Sequence, residues 1–361
     1  MTEKGDYLSL ERTRGLRFVM AVLVLMSHVD DRFGYETGEI GPMAVGVFFF
    51  LSAYGLMHSM QTKPKYLGSF VQKRVPALLV PWWVCGLVGA VVALVFLSTG
   101  AHTIESVVTR LADGIFGPLI WFVLALLTFY VLFYLCFLLV RNKRTAVAVL
   151  SVAVCVASVL MDLRFDNHVY TLSTSGFVGG LLWAHFRSEI DALLSRYGWA
   201  SAVLLVCCAV AIPWSFELFG KPAIYPCVPL FVLMTFLLQR SCAAYSAVLL
   251  AALVAIAVLF SFSDITYILI PISLCICIIA TKMPLTSRLC SLGGVIAYEF
   301  FLLNWPAINL VDKVTSVSPF WSTVLTFVVI IPMSIAAWYV SRKILDTYNN
   351  AYDRVCSAEG A

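Results

Sequence analysis

Arg17 and His28 are separated by ten residues in the first apolar stretch of the chain. At 100° per residue, the eleven steps between them return to within about 20° of the starting direction, so a helix presents both side chains on one face. At 1.5 Å per residue, they lie about 16 Å apart along the helix axis and cannot act on the same atom. A guanidinium binds anions and an imidazole is a suitable general base, so the pair could serve two ends of one reaction.

The position of this pair in a membrane has two interpretations. Only fifteen residues lie between Arg14 and Asp30, whereas a spanning helix needs about 20, so at least one of the two side chains lies near membrane depth. Either both line a polar channel inside a helix bundle, or Arg17 is a snorkelling anchor and His28 caps the outer end. The spacing alone leaves both interpretations open.

The composition identifies the environment of these residues. Of the 361 residues, 61% are hydrophobic and only 12% are charged. A soluble surface requires roughly a quarter to a third charged residues, so the chain is predicted to be an integral membrane protein. This prediction excludes soluble enzymes, nucleic-acid binders and disordered tails. The polar first ten residues and the absence of a small-residue cleavage site predict that the first apolar stretch is retained as a span.

Twelve apolar stretches are long enough to be candidate spans. Because backbone polar groups must be satisfied within each span and no alternating pattern indicates a barrel, we predict an all-α, polytopic transmembrane bundle of about 10–12 helices. Residues 1–345 are predicted to form one membrane-embedded domain and 346–361 a short cytoplasmic tail. The candidate spans begin near Gly15, Gly41, Val75, Gly117, Thr145, Val169, Trp199, Pro222, Ala243, Ile265, Leu292 and Pro319.

The distribution of positive charge predicts the orientation. If the loops alternate between the two sides, 19 of the 24 Lys and Arg residues fall on the side of the N-terminus and five on the other. Cytoplasmic loops carry an excess of Lys and Arg, so both termini are predicted to be cytoplasmic. The eleven cysteines lie mostly within apolar spans and show no zinc-ligand spacing, and we interpret them as small buried residues.

Several segments, in order along the chain, resemble the acyltransferase 3 family of integral-membrane O-acyltransferases. Each segment alone is weakly specific, whereas the ordered set is fairly specific. The segments are Gly15-Leu16-Arg17 with His28, Val45–Leu56 (VGVFFFLSAYGL), Phe70–Pro76 (FVQKRVP) with Pro81, Leu119–Phe122 (LIWF) with Tyr130, and Ala297–Pro306 (AYEFFLLNWP).

The resemblance implies transfer of an acyl group, most often acetyl, from cytoplasmic acyl-CoA to a sugar hydroxyl at the cell envelope. It implies a plasma-membrane location, acyl-CoA as a co-substrate, and a glycan or lipid-linked sugar as acceptor, with no resident cofactor, no metal and no nucleic acid. His28 would act as the general base or carry the acyl group, and Arg17 and Arg74 would bind the donor phosphates. The implied substrate-binding residues are Ser52, Tyr54, Trp121, Tyr130, Glu299 and Asn304.

The chain departs from the family pattern at two residues of these segments and in its twelve candidate spans, since about ten are usual for the family. Ala53 replaces the usual Gly, which affects packing more than chemistry, and Asn304 replaces a second His, which removes a proton-transfer group but keeps a hydrogen-bonding one. Glu299 is a lone acid in an apolar run, and a structural ion pair with Arg14, Arg17 or Arg74 is an alternative to a substrate contact. Trp121 and Tyr130 have the alternative role of filling the bundle.

A secondary transporter is the main alternative function. Twelve helices with both termini inside is also a common transporter plan, but such folds show related halves with paired Gly or Pro interruptions, and no such match is evident. A non-catalytic sensor or scaffold is a third alternative, but it would give Arg17 and His28 no functional role. The acceptor, the acyl group and the oligomeric state are left open by the sequence.

Overall fold

The computed structural model describes ten α-helices and a short 3₁₀ helix, with no strand in the described ranges. The described residues are 8–33, 40–96, 109, 120–166, 169–197, 276, 279–280, 283–315 and 318–359. The α-helices are α1 (Leu10–Phe33), α2 (Ile40–Thr62), α3 (Phe70–Phe96), α4 (Ile120–Leu139), α5 (Lys143–Phe165), α6 (Val169–His185), α7 (Arg187–Arg196), α8 (Arg288–Leu302), α9 (Asn304–Val314) and α10 (Pro319–Glu359).

The all-helical membrane fold predicted from the sequence is confirmed for this part of the chain. Five of the described helices, α2 to α5 and α10, are long and apolar enough to cross a membrane, and the bent pair α8–α9 would make a sixth span. The helices α1 and α6 correspond to two more predicted spans; α6 has 17 residues, and α1 carries charges near both ends. The spans predicted from Trp199, Pro222, Ala243 and Ile265 lie wholly or largely outside the described residues.

The polypeptide forms two compact units. Unit 1 comprises residues 1–66 and 128–295, and unit 2 comprises residues 67–127 and 296–361. Along the chain, the unit boundaries fall inside the 3₁₀ helix (Tyr66–Ser69), α4 and α8. The catalytic candidates Arg17 and His28 belong to unit 1, whereas Arg74 and Glu299 belong to unit 2.

In unit 1, α2 and α6 pack closely side by side. A side chain on Gly176 would overlap the carbonyl group of Gly46, and a side chain on Gly180 would overlap that of Phe50. Each contact on α6 and its partner on α2 are followed by the next contact four residues later, so α2 and α6 run in the same direction. The sequence predicts that successive spans alternate in direction. Because three spans lie between α2 and α6, their common direction agrees with that prediction. Two glycines four residues apart allow this approach, as is common between membrane helices.

In unit 2, α3 packs against α9 and α10. Pro76 and Pro81 lie inside α3 and remove two backbone donors from it. Within that stretch, the Tyr298 hydroxyl of α8 donates a hydrogen bond of 3.1 Å to the carbonyl oxygen of Leu78. A side chain from another helix therefore bonds to the backbone of α3 between its two prolines.

The last helix, α10, is 41 residues long. At 1.5 Å per residue it measures about 60 Å, roughly twice the thickness of the hydrocarbon core. Its second half is polar, with an ion pair of 3.3 Å between Arg342 and Asp346. The segment predicted as a tail, 346–361, continues this helix as far as Glu359.

Candidate functional site

Arg17 and His28 lie on one uninterrupted helix, α1. The predicted helix is confirmed, and its regular geometry gives the two residues one common face and an axial separation of about 16 Å. Both side chains are half-buried. The two side chains share a helix face but are too far apart to act on the same atom. Any chemistry that uses both must therefore involve an extended ligand or two separate steps.

Glycines fix both ends of α1 against neighbouring backbone. Near Arg17, a side chain on Gly15 would overlap the carbonyl oxygen of Leu285. At the other end, a side chain on Gly41 of α2 would meet the hydroxyl of Ser27, which precedes the histidine. Such close approach requires residues without a Cβ. The direction of the Arg17–His28 face is thus set by contacts at both of its ends.

The hydroxyl groups of two predicted substrate-binding residues meet in unit 1. Ser52 on α2 and Tyr130 on α4 are 78 residues apart in sequence, and their oxygens are 3.1 Å apart, within hydrogen-bonding distance. Both side chains are half-buried. A pair of linked hydroxyls can both donate a hydrogen bond to a ligand and accept one from it.

Tyr54, two residues beyond Ser52, is held by an aromatic stack and by an arginine. Its ring, which is 6% exposed, lies nearly parallel to those of Phe50 and His58 at centroid distances of 6.3 and 6.0 Å. Arg187 donates a hydrogen bond of 2.6 Å to its hydroxyl from 133 residues away. No local sequence pattern connects Arg187 to Tyr54.

Unit 2 holds the other predicted site residues. Arg74 on α3 and Trp121 on α4 are both half-buried. The ring of Phe122, next to Trp121, packs edge-on against Phe301 of α8 with centroids 4.9 Å apart. Aromatic packing therefore connects the start of α4 to the helix that carries Glu299.

The span predicted near Leu292 is broken. Helix α8 ends at Leu302, α9 begins at Asn304, and the two axes differ by 71°. Pro306 has no N–H to donate to the carbonyl oxygen of Leu302 four residues earlier, which accounts for the position of the break. Glu299 precedes the break at 4% exposure and Asn304 follows it at 0%. Broken helices at membrane depth occur where backbone lines a cavity or is buried in protein.

The ion-pair interpretation of Glu299 stays a prediction. Within the described residues of unit 2, Arg74 forms no ion pair with its carboxylate. Arg14 and Arg17, the other two cations that the sequence offers, belong to unit 1. Glu299 is a buried acid beside a helix break.

The described part of the chain holds no group of three or more His, Cys, Asp and Glu residues placed to bind a metal. Four cysteines of this part are free thiols. Cys85 and Cys290 are buried, as the sequence predicted, whereas Cys136 is half-buried and Cys155 is exposed.

A family model for an acyltransferase domain matches residues 12–342. The match covers nearly the whole chain and includes every candidate site residue named above. No curated protein and no solved structure matches the chain significantly.

Proposed function

Because the chain belongs to the acyltransferase 3 family, we propose that it transfers an acetyl group from acetyl-CoA to a sugar hydroxyl of the cell envelope. Family membership gives acyl transfer by a multi-pass membrane protein. The donor, the acetyl group and the sugar acceptor are the parts that we propose. The observation that supports them most directly is the placement of Arg17 and His28 on one face of α1, about 16 Å apart.

The Arg17 end of that face suits the donor. Coenzyme A carries anionic phosphates, and a guanidinium binds phosphate through two parallel hydrogen bonds. Arg17 in unit 1 and Arg74 in unit 2 both lie on the side that the charge distribution assigns to the cytoplasm, where coenzyme A is made. Because the thioester lies at the far end of a long pantetheine arm, a separation of about 16 Å between phosphate and reacting carbon suits this donor.

The His28 end suits the chemical step. A sugar hydroxyl is a weak nucleophile at neutral pH, so a base must take its proton as its oxygen attacks the thioester carbon. The new C–O bond forms, the C–S bond breaks, and the proton ends on the departing thiol. In the second form of this mechanism, His28 first accepts the acyl group and then passes it to the sugar. His28 takes the proton of the sugar hydroxyl in the first form and carries the acyl group in the second.

Several of the predicted site residues offer groups that recognise a sugar. The linked hydroxyls of Ser52 and Tyr130, with Tyr54 nearby on α2, supply hydrogen-bonding groups in unit 1. In unit 2, Glu299 and Asn304 lie on either side of the helix break, and Trp121 supplies an aromatic face for a sugar ring. Acid, amide and hydroxyl groups are the side chains that recognise sugar hydroxyls.

We further propose that the protein lies in the plasma membrane with both termini cytoplasmic. The 19 to 5 asymmetry of Lys and Arg supports this orientation. It places the donor end of α1 inside and the His28 end toward the outer surface, where an envelope glycan or lipid-linked sugar would be reached.

A transfer assay tests the proposal directly. Purified protein in lipid nanodiscs is given acetyl-CoA labelled in the acetyl group, and thiol release and label in added glycan or lipid-linked sugar fractions are followed. We expect thiol release coupled to label in an ester that mild base removes, and loss of both in His28→Ala. Transport of a sugar across liposome membranes without thiol release would instead support the transporter alternative.

A further inference from the structure

A serine near the beginning of α6 bonds to the first turn of α2. The Ser173 hydroxyl donates a hydrogen bond of 2.8 Å to the carbonyl oxygen of Pro42, which lies 131 residues earlier in the chain. Ser173 is fully buried, so no water can take the place of this acceptor. Hydroxyl contacts of this kind help to hold helices together in a membrane, where apolar burial does not. Ser173 therefore ties α6 to the beginning of α2.

This hydrogen bond belongs to the seam along which α2 and α6 meet. Gly176 and Gly180, three and seven residues further along α6, contact the backbone of α2. Positions three and seven residues apart share one face of a helix, so Ser173 extends the same seam toward the beginning of both helices. The glycines allow close approach of the two helices. A hydrogen bond is directional, so the bond of Ser173 also fixes the first turn of α2 along the seam.

The first turn of α2 lies against the residue that precedes His28. Pro42 follows Gly41, and a Cβ built on Gly41 would lie 2.7 Å from the hydroxyl oxygen of Ser27 and 3.0 Å from its Cβ. Ser27 is the residue before His28 in α1. With so little space between them, a displacement of the first turn of α2 also displaces the turn of α1 that carries the imidazole.

The next residue of α6 bonds to a different helix. Thr174, which is buried, donates a hydrogen bond of 2.7 Å to the hydroxyl of Ser158 on α5. Neighbouring residues of a helix point about 100° apart, so Ser173 and Thr174 reach the helices on two sides of α6. The two residues thus make the same kind of buried interhelical bond, one to α2 and the other to α5.

We infer that Ser173 is a positioning residue for His28 and acts through the first turn of α2. The inference rests on the proposed function, because it takes His28 to be the residue that takes the proton or carries the acyl group. Without the hydroxyl of Ser173, α2 keeps its glycine contacts with α6 but loses the bond that fixes its first turn. A misplacement of about 1 Å at a reacting group can slow a reaction on the order of a hundredfold, so smaller shifts are also measurable.

The test compares Ser173→Ala with Thr174→Val in the full chain in lipid nanodiscs. Turnover per folded molecule is measured with labelled acetyl-CoA, and affinity for acetyl-CoA by calorimetry. Ser173→Ala should slow turnover about tenfold, as expected for a shift of less than about 1 Å, and leave the affinity unchanged, because the donor phosphates bind at the other end of α1. Thr174→Val removes a comparable buried bond and should turn over at the wild-type rate.

Gly41→Ala tests the same contact from the other side, including the case in which Ser173→Ala does not fold. The added Cβ would meet the Cβ of Ser27, which cannot rotate away. This variant should therefore slow turnover and keep its affinity for acetyl-CoA. Gly55→Ala on the same helix is the matched control and should turn over at the wild-type rate, because no atom lies within 4 Å of a Cβ built there.

Three results would overturn the inference. Equal slowing in Ser173→Ala and Thr174→Val, or a loss of acetyl-CoA affinity that parallels the slowing, would show that Ser173 only supports the fold. Wild-type turnover in Ser173→Ala or in Gly41→Ala would show that His28 does not depend on this contact. In each case, loss of transfer in His28→Ala would leave the proposed function standing. A wild type that transfers no acetyl group would reject both.

Discussion

Replacing Gly176 by alanine tests whether the α2–α6 contact depends on backbone approach. A Cβ at position 176 would overlap the carbonyl group of Gly46, and backbone cannot rotate away as a flexible side chain can. The helices must separate to accommodate it, and α2 carries Ser52 and Tyr54. Gly55 on α2 is a matched control, since no atom lies within 4 Å of a Cβ built there.

The magnitude follows from comparing the two variants. Any Gly→Ala change inside a helix adds about 0.4–1 kcal/mol of stability through helix propensity and reduced unfolded-chain entropy. This gain is common to both sites and cancels in their difference. The overlap at Gly176 adds a cost of about 1–3 kcal/mol, typical of overpacking. Gly176→Ala should therefore be about 1–3 kcal/mol less stable than Gly55→Ala, which should equal or exceed the wild type.

The assay is unfolding by titration with a denaturing detergent, followed by tryptophan fluorescence, with size-exclusion chromatography to confirm that each variant starts folded. Equal midpoints for Gly176→Ala and Gly55→Ala would refute the reasoning. So would a Gly176→Ala variant that is more stable than the wild type by the full gain of about 0.4–1 kcal/mol, because the overlap would then have been relieved without separating the helices.

Three further predictions concern the site and the topology. His28→Ala should leave acetyl-CoA affinity nearly unchanged and slow turnover by a factor on the order of 10² to 10⁴. Arg17→Ala should instead weaken acetyl-CoA binding about tenfold to a hundredfold. Equal loss of affinity in both variants would contradict these separate roles. Glu299→Gln should keep the folded yield, because no ion pair of its carboxylate is found among the described residues of unit 2, while lowering turnover about tenfold; a lower yield with normal turnover per folded molecule would support the ion-pair interpretation. Single cysteines placed in residues 63–69 and near the C-terminus should be protected from an impermeant label in intact cells, and one in residues 34–39 should react; the reverse pattern would invert the proposed orientation.

Local rules explain what the sequence alone determined. Composition and apolar length predicted an all-helical membrane protein, because a backbone in lipid must satisfy its own hydrogen bonds and a helix does so within each segment. The same regularity placed Arg17 and His28 on one face of α1, since helix geometry repeats whatever surrounds it. The ordered motifs also identified the family before any contact between helices was known.

Tertiary structure decided the contacts between distant segments. Ser52 meets Tyr130, Tyr54 meets Arg187, and Tyr298 meets Leu78, across separations of 78, 133 and 220 residues. Lipid is as apolar as the helix surfaces, so hydropathy does not indicate which faces pair, and small residues and polar contacts decide this instead. For the same reason, the sequence could list possible cations for Glu299 but could not show which of them, if any, faces it. The 71° bend arises at one missing N–H, and whether a proline kinks or breaks a helix depends on what surrounds it.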